Sequence, residues 1–151
     1  EPEMVVLLFA NTPTIDMVKL SEGIETMRND STLDSCFSVV KYDMFSPTRA
    51  KKIENNILLP FTNLDSFNEV SSIRDSQGSV YFADLSIQIL RPTCFTNMSE
   101  GIKPLQWMGK KTYALEVDFG FDLDEEWQIP VIKYWLSKHG FTESKIPWSS
   151  P

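Results

Sequence analysis

The chain is poor in the residues that carry out most protein chemistry. Its 151 residues hold one histidine, His139, and two cysteines, Cys36 and Cys94. Nucleophilic catalysis needs a base beside a Ser or Cys, and one imidazole leaves little room for that. The cysteines stand far apart and form no CxxC, so neither a redox pair nor a zinc knuckle is signalled; two reduced core thiols are expected. Glycine is scarce, at six residues, and neither GxGxxG nor the Walker pattern occurs. Positive charge is short as well: 14 Lys and Arg face 21 Asp and Glu, for a net charge of −7. Nucleic acid is therefore not the expected partner, because neutralising phosphates is what supplies affinity there. No apolar run reaches the roughly 18 residues of a membrane-spanning helix. No basic stretch precedes the first apolar run, so no signal peptide is expected, and the sequons at Asn29 and Asn97 carry little weight. These absences suit a soluble protein, cytoplasmic or part of an assembled particle.

What is present is an ordinary globular composition, 42% apolar and 23% charged. The length suits a single domain, with a long inter-strand insertion at 92–111 and a tail at 141–151. MVVLLFA (4–10) reads as a strand covered on both faces. Thr12-Pro13 reads as a helix start, and Met17, Leu20, Ile24 and Met27 follow at helical spacing. CFSVVKYDMF (36–45) is a second strand. Ser46-Pro47 opens a short helix carrying Arg49, Lys51 and Lys52. ILLPF (57–61), broken by Pro60, is an edge strand or buried turn, and 62–78 holds one irregular helix. SVYFADLSIQILR (79–91) and residues 112–123 alternate as half-wet strands, which suits an antiparallel pair. IPVIKYWLSKHG (129–140) is the last helix, stopped by Gly140. The fold class is thus α+β: a mixed sheet with an N-terminal βαβ unit and a C-terminal antiparallel pair, helices packed on the sheet.

MVVLLFANTPTIDMVKL, FSVVKYDMFSPTRAKKI and ILLPF together resemble the opening of a thioredoxin-like fold over about 60 residues. Asn11-Thr12-Pro13-Thr14 fills the position of that family's redox pair. The resemblance therefore implies no thiol chemistry.

VDFGFDLDEEW (117–127) carries the kinase triplet Asp118-Phe119-Gly120. The Gly-rich loop, strand lysine and HRD segment that work with it are missing. Phe119 reads better as one of six residues on a core-facing stripe. Asp122 and Asp124 start like an EF-hand loop, but Trp127 and Lys133 stand where Gly and Glu are required. Glu116, Asp118 and Asp122 alternate onto one strand face, where a hard cation could sit. Asp124, Glu125 and Glu126 favour the positive end of the last helix, and His139 suits its negative end.

The insertion 92–111 is apolar beyond what a connection needs, with Phe95, Met98, Ile102, Leu105, Trp107 and Met108. Such a segment folds back on its own core or packs on another chain. The favoured reading is a non-catalytic subunit of a larger assembly, a virus particle for instance, binding protein (itself or other subunits) through these residues and without a cofactor. The alternative is a small enzyme or ligand binder that uses the acidic face of Glu116, Asp118 and Asp122, with or without a divalent cation.

Overall fold

The structure, a computed structural model, describes residues 2–67, 70–73 and 78–145. It is of the expected α+β class. The elements run β1 (Val5–Leu7), α1 (Met17–Asn29), β2 (Ser35–Lys41), β3 (Lys51–Glu54), β4 (Ile57–Pro60), β5 (Tyr81–Leu90), α2 (Thr93–Thr96), β6 (Thr112–Val117) and α3 (Gln128–Lys138). The chain divides into two compact units, one of residues 1–39 and 83–151, the other of 40–82. Part of the 62–78 segment and most of the 141–151 tail, with Ile146 and Trp148, lie outside the described residues.

The four-stranded sheet has the order β1-β5-β2-β6. Strand β1 pairs antiparallel with β5, Val5 opposite Leu90. The Arg91 N–H donates to the Asp34 carbonyl, and the Tyr42 N–H to the Val80 carbonyl, so β2 runs antiparallel to β5. The Asp34 N–H donates to the Lys111 carbonyl, joining the starts of β2 and β6. The strand–helix–strand unit is present, with β5 inserted between its two strands. The two strands of that unit are therefore not neighbours in the sheet. By the same order, β2 separates β5 from β6.

Burial explains where sequence pattern and structure part. Strand β5 is central, so Ser86 and Gln88, expected on a wet face, are fully buried. Its alternation is also broken: Leu85 has φ 60° and packs with Phe37, Leu90 and Cys94, away from the cluster of Ile87 and Ile89. A positive φ inside a strand is the mark of a bulge. Strand β1 is short and lies at the sheet edge, only partly covered. Helix α1 starts later than Thr12-Pro13: the Asp16 carboxylate accepts from the Val18 and Lys19 N–H groups at 2.8 and 3.2 Å and is the N-cap. Lys51 and Lys52 belong to an extended hairpin instead of a helix, turned by Asn55 and Asn56 at φ 51° and 63°. Such a pair makes the type I′ turn that joins strands closely. Pro60 ends β4 in the edge-strand position. Strand β6 stops at Val117, well short of residue 123.

Gly23 shows how closely α1 lies on the sheet. A Cβ there would stand 2.7 Å from Ile89 Cδ1, 3.2 Å from Cys36 Sγ and 3.3 Å from a Leu115 methyl. The glycine costs helix propensity of about 1 kcal/mol and permits that approach. Gly23→Val is expected to destabilise the chain by about 3 kcal/mol, read as a lowered urea midpoint; an unchanged midpoint would show that the helix can lift. Burial also pushes the Cys36 thiol up to about 12, so it is inert. Both cysteines are free.

Candidate functional site

The site is assembled from three stretches of the larger unit: the loop 11–14, the β5 bulge at Asp84, and the segment 120–124 after β6. The loops are tied to each other. The Leu123 N–H donates to the Asn11 carbonyl at 2.7 Å, and Asn11 Nδ2 donates to Asp124 Oδ1 at 3.3 Å. The Thr12 hydroxyl donates to the Phe9 carbonyl at 2.8 Å, which folds the loop inward. Thr14 follows, 2% exposed.

Gly120 is the pivot. A Cβ on it would fall 2.0 Å from Asp84 Oδ2 and 3.2 Å from Thr14 Oγ1. The Gly120 backbone, the Asp84 carboxylate and the Thr14 hydroxyl are thus in immediate contact. Asp84 is 5% exposed, and among the described residues neither of its carboxylate oxygens has a hydrogen-bond partner; Thr14 Oγ1 and Asp122 Oδ1 are buried and unpartnered there as well. Buried polar groups are nearly always paired. Four such atoms on three residues, two of which touch Gly120, are a concentrated exception. The Asp122 carboxyl is pushed above its ordinary range by burial first, then by the negative charges of Asp124 and Asp84. The Asp122 carboxyl therefore lies close enough to Asp84 and Asp124 to feel their charge.

The expected acidic face is not gathered. Glu116 and Asp118 are exposed, while Asp122 lies half-buried beyond the end of β6. Asp118 lends its charge to Lys19, a minor contributor after Glu22. Among the described residues no cluster of three or more His, Cys, Asp or Glu is placed to hold a metal by itself. Asp84 and Thr14 were not legible as site residues from sequence. The one signal was a carboxylate in a strand whose other polar residues proved to be core.

Part of the connection 92–111 folds back. Trp107 and Met108 pack on Phe37, Leu90 and Cys94, and Leu105 is half-buried, while Phe95, Met98 and Ile102 stay exposed. Trp107 Nε1 donates to Gln88 Oε1 at 3.1 Å. Trp107→Phe keeps the packing and removes the donor, leaving a buried oxygen unpaired. A loss of about 2 kcal/mol is expected in urea unfolding; no loss would show that Gln88 finds another donor. His139 stacks on Trp135 at 3.8 Å and its Nδ1 contacts the Trp135 carbonyl at 2.9 Å. It finishes α3 and is remote in role from the carboxylates.

No family model and no curated protein sequence matches the chain. A solved structure of a CMP:2-keto-3-deoxy-manno-octonic acid synthetase complexed with CTP is similar in fold, with a TM-score of 0.57 and 13% identity over 92% of this chain. The chain covers 64% of that protein's length. At this identity the likeness shows the shared fold. Among the described residues no helix is long and apolar enough to cross a membrane.

Proposed function

We propose that the chain is a ligand-binding protein whose Asp84 and Asp122 hold a divalent cation. The carrying observation is the Asp84 carboxylate, buried without a hydrogen-bond partner for either oxygen. An isolated buried charge costs several kcal/mol, and a cation among carboxylates offsets that cost. All available donor atoms are oxygen, which suits the hard ions Mg²⁺, Mn²⁺ and Ca²⁺. Two carboxylates alone leave most of the ion's positions to water and to a ligand. Mg²⁺ is commonly bound in that way, through one or two carboxylates and the phosphates of its ligand. A phosphate-bearing small molecule is therefore the ligand class proposed. The CTP in the similar structure makes a nucleoside triphosphate the first compound to try. Gly120, lacking a Cβ, lets its backbone lie directly against Asp84, and Thr14 Oγ1 is left to donate to a ligand or water oxygen. The experiment is a thermal shift with millimolar Mg²⁺, Mn²⁺ or Ca²⁺, with and without CTP. A rise with metal that grows with CTP supports the reading. No rise with any of the three ions ends it.

A second reading is the interaction subunit anticipated from sequence. Its support is that Phe95, Met98 and Ile102 remain exposed while Leu105, Trp107 and Met108 are half-buried.

A further inference from the structure

The smaller unit carries a feature that the cation reading does not use. Strands β3 and β4 form a two-stranded sheet of their own, and a lone hairpin is marginal in water without further strands or a packed face. This one leaves much apolar surface uncovered: Ile53 is 72% exposed and Leu58, opposite it in the register, 66%. Ile57 and Phe61 are exposed too.

The hairpin's two outer edges are not equivalent. The Phe61 N–H donates to the Ala50 carbonyl at 3.0 Å, and Lys52 faces Leu59 while Glu54 faces Ile57. Ladder bonds alternate along an antiparallel pair. Positions 50, 52 and 54 therefore turn their N–H and C=O groups toward β4, and Lys51 and Ile53 turn theirs outward. On β4 the outward positions are Leu58 and Pro60. Proline has no N–H, so the β4 edge cannot continue a ladder. The β3 edge can.

The geometry points to a second copy of this chain as the occupant of that edge, with the β3 strands paired antiparallel about a two-fold axis at Ile53. In this register Ile53 exchanges both backbone hydrogen bonds with its own copy, and Lys52 stands opposite the copy's Glu54 at both ends. Within one strand Lys52 Nζ and Glu54 Oε1 already lie 2.7 Å apart, so the charges sit on one face and can trade partners across the axis. A register centred on Lys52 would set like charges against each other, which is destabilising. The result is a four-stranded sheet in which Ile53 and Leu58 of both copies share one face.

Light scattering on the eluting peak of a size-exclusion column tests the proposal. The expected mass is twice 17.3 kDa at about 100 μM protein. Lys52→Glu and Glu54→Lys are each expected to weaken the dimer at least about tenfold, consistent with the loss of a pair at both ends. The double reversal Lys52→Glu with Glu54→Lys is expected to restore it. Both positions are exposed, and far-UV circular dichroism on each variant separates dissociation from misfolding. A monomeric parent chain, a dimer indifferent to single reversals, a double reversal that stays monomeric, or a ladder of higher oligomers would each overturn the assignment.

Discussion

Asp84→Asn is expected to make the cation-free chain more stable while abolishing its response to divalent cations. Most substitutions at a residue this buried destabilise, so the sign is informative. The variant keeps the shape and removes a buried carboxyl whose oxygens find no hydrogen-bond donor, a gain of about 2 kcal/mol. For a chain of this length that raises the melting temperature by about 4–8 °C. Asp122 adds a pH dependence. Its folded-state pKa is raised above the ordinary 3.8, so the fold holds a proton that the unfolded chain has released. Its contribution is present in full below 3.8 and is lost as pH rises through the folded value. Without divalent cations, stability measured by urea unfolding should decline from pH 4 toward neutrality, and Asp122→Asn should flatten that decline. An Asp84→Asn chain that is less stable than the parent in chelator would mean that the carboxylate already has a stabilising partner.

Gly120→Ala is the second large effect. The added Cβ cannot stand 2.0 Å from Asp84 Oδ2, and the buried carboxylate has little room to retreat. A loss of about 3 kcal/mol is expected, or about 6–12 °C in melting temperature, together with loss of cation binding. Combined with Asp84→Ala, the same substitution should cost far less, because the clashing group is gone. A double-mutant cycle reads that coupling directly. Additive effects would show that Gly120 is needed for its backbone alone.

Sequence pattern reached some of this architecture and missed the rest for identifiable reasons. Leu20 and Met27 of α1 and Ile132 and Trp135 of α3 are buried, and Gly140 ends the last helix at φ 78°. Helical periodicity survives because each helix buries one stripe. Two-residue alternation was less informative about burial. It reads one wet face into β5, but α1 packs on one face of its second half and the 92–111 connection on the other. It also runs on from Val117 to Leu123, where the chain has already left the sheet: Phe119 and Phe121 meet edge to face at 4.9 Å and Asp122 turns inward. Lys51-Lys52-Ile53-Glu54 has a composition that a helix accepts, and Asn55-Asn56 decides for a hairpin instead. The carboxylate site was hidden because its members come from positions 14, 84 and 120–122, which only the assembled sheet brings together. The Asp118-Phe119-Gly120 triplet drew attention to the right neighbourhood for the wrong reason: its aspartate is exposed, and its glycine makes the contact.

Electron paramagnetic resonance of Mn²⁺ titrated into the chelator-treated chain tests the central claim most directly, since free and bound ion are counted separately. One bound Mn²⁺ per chain is expected, released by excess Mg²⁺ and absent from Asp84→Asn and Asp122→Asn chains that remain folded. Mn²⁺ left wholly free, or bound equally well by both variants, would contradict the account.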